Sequence, residues 1–268
     1  MSGPDRRLRP PAVAGSFYPA DPEALRAAIA RAFADAVAAD PAAPVPEALV
    51  VPHAGYVYSG PVAATAYARL RAGRAGIHRV VLLGPSHRVP LRGLGLSSAD
   101  AWSTPLGEVE LDHDHDRDLL TLPSVAFADV AHAPEHSLEV QVPFLQAVLG
   151  EFRLLPIVIG DAGPQEVARA LELVWGGPET VVVVSTDLSH YHPHRDAVRL
   201  DARTASAIVA RDGAAIGDRD ACGARPLRGL LEAAVRHDLT VQSLDLRTSG
   251  DTAGDLTSVV GYGAFALA

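Results

Sequence analysis

Four consecutive valines, Val181-Val182-Val183-Val184, would present apolar, β-branched side chains to both faces of any strand they form. Such a strand is stable only where both faces are covered, as in a parallel sheet packed between helices. Similar short runs occur at Leu49-Val50-Val51, Val80-Val81-Leu82-Leu83 and residues 155–159, and they alternate with segments of helical spacing. Residues 21–39 open with Asp-Pro, an N-cap followed by proline in the first turn, and place Leu25, Ile29 and Phe33 on one face. Residues 59–72, 137–149, 165–175, 196–211 and 226–237 read as further helices, and 258–267 as a closing strand. This alternation predicts an α/β fold with a central, mostly parallel sheet and helices on both faces. The proline-rich stretch 41–46 is too short and too early to divide the chain, so residues 1–268 are read as a single domain.

Charge narrows the partners. The net charge is -9, and all 23 basic residues are arginines scattered among acids. Binding that relies on phosphate neutralisation is therefore not expected, and nucleic acid is excluded as a partner. No stretch approaches the roughly 18 apolar residues that span a bilayer. The early arginines are not followed by the apolar run of a secretory signal, and one cysteine cannot form an internal disulfide. The expectation is a soluble, cytoplasmic protein with no membrane partner.

Open α/β sheets bind ligands outside the carboxyl ends of their strands. His53, His87, Asp187 and His190 each lie just after a predicted strand, so they can converge at one edge of the sheet. Singly, each histidine has a structural explanation; four titratable residues at equivalent positions point to function. Neutral imidazoles at such turns are ligands for iron, copper or zinc, although spacing alone makes no local metal motif. Cys222 precedes a predicted helix whose dipole would favour a thiolate, the alternative being a small buried hydrophobe. His136 stands beside Glu135 and three residues before Glu139. On a helix Glu139 would share its face and orient its ring; otherwise the acids belong to an ordinary helix start. The alternating Asp-His-Asp-His-Asp of residues 112–116 reads as a solvated turn, and His192 and His194 as surface residues.

Several longer motifs carry a resemblance. RPPAVAGSFYPADP, PHAGYVYSG, LLGPSHRVPLRGLGLSS, EHSLEVQVPFL, STDLSHY, CGARP and SGDTAGDLTSVVGYGAFA are similar to the Memo family, whose bacterial members are named protein B of the AmmeMemoRadiSam system. The resemblance is collinear from about residue 8 to the C-terminus. It implies a fold like that of LigB-type class III extradiol dioxygenases, which hold non-haem iron with two histidines and a glutamate. A cysteine replaces that glutamate in Memo proteins, so the implied metal ligands are His53, His87 and Cys222. His190, with Asp187 beside it, corresponds to the dioxygenases' acid/base histidine, and His136 joins them as a catalytic candidate. Thiolate is softer than carboxylate and suits iron, copper or zinc, so ring cleavage does not follow automatically.

Three functions are compatible with these residues. One is a redox enzyme using iron or copper, of unknown substrate, with His190 moving protons. A second is a module that binds a small molecule or peptide in the same pocket, where Arg88 and Arg225 would engage a carboxylate or phosphate. The third is a zinc-dependent hydrolase. The family's bacterial name further implies radical-SAM and AMMECR-like pathway partners.

Overall fold

In the computed structural model, which describes residues 6–268, the apolar runs become the middle of a nine-stranded sheet. Its strands are β1 (Ala48–Val51), β2 (Arg79–Pro85), β3 (Leu94–Leu96), β4 (Val125–Phe127), β5 (Arg153–Ile159), β6 (Thr180–Ser185), β7 (His190–His192), β8 (Val241–Thr248) and β9 (Val259–Leu267). They lie in the order β7-β9-β1-β6-β2-β5-β3-β4, with β8 also paired to β9. The central strands β1, β6, β2 and β5 are parallel. Antiparallel pairing enters at β9 and between β3 and β5. A separate three-stranded sheet joins Leu8–Arg9, Ala101–Thr104 and Gly107–Glu110.

Six longer helices cover the large sheet: α1 (Pro22–Ala34), α2 (Tyr56–Ala68), α3 (Val142–Leu149), α4 (Pro164–Val174), α5 (His194–Val209) and α6 (Ala224–Arg236). Strand alternation divides the core in two. Leu49, Val51, Val80, Leu82, Val181 and Val183 pack with α1, α2 and α3 on one face. Val50, Val81, Leu83, Val182 and Val184 pack with α4, α5 and α6 on the other. Both faces of the valine run are thus buried, as its composition requires. No helix among the described residues is long and apolar enough to cross a membrane.

Element ends depart from expectation for local reasons. The first helix stops at Ala34, because the Val37 N–H turns to the Thr65 hydroxyl at 3.0 Å instead of continuing the helix. The second begins at Tyr56 and ends at Ala68, with Pro61 inside it. The segment expected as one helix over 137–149 is broken into a 3₁₀ turn at Glu139–Gln141 and α3. Pro143 stands in the first turn of α3, where its missing N–H costs nothing, whereas a longer helix would drive its ring into the carbonyl of Glu139. Residues 112–116 are not simply solvated. Asp112 is buried and accepts a 2.6 Å hydrogen bond from Arg79 Nε, with Arg153 also beside it.

The break before α3 turns Glu139 away from His136. Its buried carboxylate accepts hydrogen bonds from Arg9 (2.6 Å), Tyr18 (2.6 Å) and the backbone N–H groups of Ala12 and Val13. Arg9, also buried, donates to the carbonyls of His132 and Glu135 and lies 4.4 Å over the Trp102 ring. This network ties the N-terminal segment to residues 132–139. Removing one partner of a buried ion pair strands the other charge. Arg9→Met is therefore expected to lower unfolding free energy by about 3–5 kcal/mol, read from urea denaturation with the midpoint falling at constant slope.

Candidate metal centre

Strands β1, β6 and β2 are neighbours, so the residues just beyond them meet at one edge of the sheet. His53 follows β1, His87 follows β2 and Asp187 follows β6. The turn preceding the 3₁₀ segment supplies His136, and the turn before α6 supplies Cys222. Two glycines permit this convergence. A Cβ at Gly84 would come within 2.8 Å of the Ser137 hydroxyl and 2.9 Å of Leu138, and one at Gly223 within 2.8 Å of the Ser185 carbonyl. A larger residue at Gly223 would collide with the backbone at the end of β6, and one at Gly84 would displace the Ser137 and Leu138 side chains beside His136.

One ring nitrogen from each of His53, His87 and His136 lies within 4.8 Å of the other two, an arrangement that can hold a metal ion. The rings of His87 and His136 stack at 4.7 Å between centroids, while His53 meets both edge-on. Cys222 Sγ is 3.2 Å from His53 Nε2 and also receives the Asp187 N–H at 3.3 Å. The candidates named from sequence thus come together, but in an arrangement the sequence did not indicate. His136, expected as a catalytic residue, stands among the imidazoles, and Cys222 lies against His53.

Glu135 organises two of the three imidazoles. Its Oε1 accepts from His87 Nδ1 at 2.9 Å and from the backbone N–H groups of His136 and Ser137 at 3.0 and 2.8 Å. Its Oε2 accepts the backbone N–H of His87. Burial pushes this carboxyl up, but the hydrogen bond and charge of His87, with the N–H groups of Ser137 and His87, outweigh it. The result is an acid held well below the usual carboxylate range. A carboxylate accepting the outward N–H of a histidine fixes the ring and leaves its other nitrogen free. Only its place beside His136 could have flagged Glu135 in sequence; the partner expected there, Glu139, faces Arg9 instead.

The other candidates fall into different roles. Asp187, expected beside His190, instead accepts the backbone N–H of His53 at 2.7 Å. Burial raises its carboxyl to about 7, against the lowering effects of the His53 N–H, the His87 charge and the Ala54 N–H. His190 donates Nδ1–H to the Leu188 carbonyl at 2.8 Å and lines the same cleft. Cys222 does not behave as a helix-stabilised thiolate: burial, and then the Asp187 charge, push its thiol up to about 12. Arg225 is engaged by Asp161 and Asp218. His192 is exposed, and His194 is half-buried and pairs with Asp251.

Above the imidazoles opens a cleft of about 810 Å³, lined also by Phe17, Tyr58, Arg88, Tyr191 and Tyr262. Arg88 has no hydrogen-bond or ion-pair partner among the described residues. Whether a metal fits this floor is a question of its donors. Burial lowers both His53 and His136 into the neutral range, so their nitrogens carry lone pairs near neutral pH. His136 Nδ1 is buried and lies 3.3 Å from Glu135 Oε1, so Glu135 stands beside both rings of the His87–His136 pair. Three imidazoles with an adjacent sulfur suit iron, copper or zinc. The residues fit.

Comparison with known proteins agrees with this architecture. The family described as Memo-like protein matches residues 9–266. A MEMO1 family protein of Sulfolobus acidocaldarius is 39% identical over 278 residues, covering 95% of this chain and 97% of its own. Another, from Methanopyrus kandleri, is 40% identical over 283 residues, with 96% and 97% covered. One from Aquifex aeolicus is 36% identical over 269 residues, with the same coverage. Among solved structures, an uncharacterized protein of Escherichia coli superposes with a TM-score of 0.52 at 12% identity, over 82% of this chain and 98% of that one. That likeness is one of fold.

The lowered histidines give the metal-free protein a pH signature. Burial, with the charges of His87 and Arg88, outweighs the carboxylates near His136 and lowers its pKa from 6.5 to about 4. The unfolded chain then binds more protons than the folded one between those values. This group's contribution to stability is present above about 6.5 and lost as pH falls towards 4. An NMR titration of the metal-free protein should find the His136 ring neutral at pH 5, with its midpoint near 4. A midpoint near 6.5 would contradict the burial described here.

Proposed function

The chain belongs to the Memo family, and from that footing we propose that it is a metal-dependent redox protein acting on a small organic anion. Its centre is one iron or copper ion held by His53, His87 and His136, with the Cys222 sulfur as a further donor. The observation that carries this reading is the meeting of three ring nitrogens within 4.8 Å. The family resemblance points to Cys222 as third ligand, whereas the geometry favours His136; both are kept as donors, and the variants below separate them.

When bound, such an ion supplies one-electron chemistry and polarises a small molecule beside it. The chain's own residues do the rest. Glu135 holds His87 in orientation. His190, its Nδ1–H committed to Leu188, keeps Nε2 as the basic nitrogen. Burial lowers its pKa, so it is neutral and ready to take a proton from the substrate. Arg88, whose guanidinium has no partner among the described residues, would engage a carboxylate or phosphate, and Phe17, Tyr58 and Tyr191 offer apolar rims to the remainder. Cys222 is a neutral thiol in the metal-free protein, so its entry as a ligand releases one proton.

The test is elemental analysis of anaerobically purified protein, with titration of the metal-free form by Fe²⁺ and Cu⁺. Near-stoichiometric iron or copper is expected. His136→Ala and Cys222→Ser should each lower affinity by roughly 10-fold or more, and proton release on binding should disappear in Cys222→Ser alone. Undiminished affinity in either variant removes that residue from the ligand set. Tight zinc without iron or copper would replace the redox reading with a hydrolytic one, and no metal after reconstitution would overturn both.

A further inference from the structure

We propose that Ser185 is the positioning residue that locks His53 as its Nδ1–H tautomer, leaving a bare Nε2 beside Cys222 Sγ. Donors and lone pairs around one buried hydroxyl can be counted, and the count leaves a single solution. Ser185 is the last residue of β6, is fully buried, and places Oγ 2.9 Å from His53 Nδ1. Two other groups share that oxygen: the Ser137 carbonyl at 2.6 Å and Gln141 Nε2 at 2.7 Å.

The orientation of Gln141 is not free. Its Nε2 also donates to the Pro52 carbonyl at 2.9 Å, while its Oε1 accepts the Tyr67 hydroxyl at 2.9 Å. A flipped amide would set its oxygen against the Pro52 carbonyl, two acceptors with no proton between them. Gln141 therefore gives Ser185 an N–H. The Ser137 carbonyl can only accept, so at 2.6 Å it takes the single hydroxyl proton of Ser185. One lone pair remains on Oγ, and it faces His53 Nδ1. Only an N–H on Nδ1 satisfies the contact, which leaves Nε2 unprotonated.

The consequence reaches the cleft floor. Nε2 is the atom 3.2 Å from Cys222 Sγ, so in the metal-free protein the thiol donates to it. With a metal present, the same lone pair is free for the ion without any tautomer change. Ser137, two residues from Glu135, thus couples the support of His53 to the turn that supports His87 and His136.

The tautomer follows from hydrogen bonding alone, while its effect on metal binding rests on the proposed centre. ¹⁵N NMR of the His53 ring in metal-free protein at neutral pH is expected to show protonated Nδ1 and unprotonated Nε2. Ser185→Ala should lose that preference and bind Co²⁺, used as a spectroscopic probe, roughly 10–100-fold more weakly. Ser185→Thr, which keeps the hydroxyl, should restore the tautomer and most of the affinity. Should Ser185→Ala fail to fold, the native and Ser185→Thr spectra decide the point. An Nε2–H tautomer in the native protein, or a preference unchanged in a folded Ser185→Ala, would overturn the proposal. The stated tautomer in a protein that takes up no metal would instead leave this inference standing and sink the metalloprotein reading.

Discussion

The centre depends first on Glu135, a buried carboxylate that accepts four hydrogen bonds: two from the backbone and ring of His87, and two from the N–H groups of His136 and Ser137. Burying a charge is costly unless it is fully hydrogen-bonded. Here the bonds exceed the cost, as the depressed carboxyl shows. Because its partners come from two turns far apart in sequence, the carboxylate acts as a clamp: neither turn can move without exposing an unsatisfied acid in the interior.

The sheet provides the platform for that clamp. Parallel strands β1, β6 and β2 end side by side, and their ends are rigid because helices cover both faces. Around this edge the polar groups are nearly all committed. Asp187 secures the His53 backbone, Arg9 and Glu139 anchor the segment behind His136, and Leu188 takes the outward proton of His190. Facing the cleft are the Arg88 guanidinium, which has no partner among the described residues, and an aromatic rim. Rigid support around three clustered imidazoles is the arrangement that a preorganised metal centre would require.

Much of this was legible in the chain itself. Valines on both strand faces forced a doubly covered sheet. Apolar runs ending at His53, His87 and Asp187 placed those residues at strand ends, because covalent order alone puts a residue next to the strand that precedes it. Only the tertiary structure decided which groups meet. Strand order, not sequence distance, puts β6 between β1 and β2. Pro143 breaks the expected helix, so Glu139 turns to Arg9 and Glu135 takes the place beside the histidines. The thiol of Cys222, which the sequence alone left open between a helix-stabilised thiolate and a small buried hydrophobe, is raised by burial and by the Asp187 charge. Ser185, one polar residue closing an apolar strand, gave no signal at all, since a hydroxyl's role depends on its three neighbours in space. Local order and hydrophobic pattern act along the chain, whereas hydrogen-bond partners and burial exist only once the chain has closed on itself.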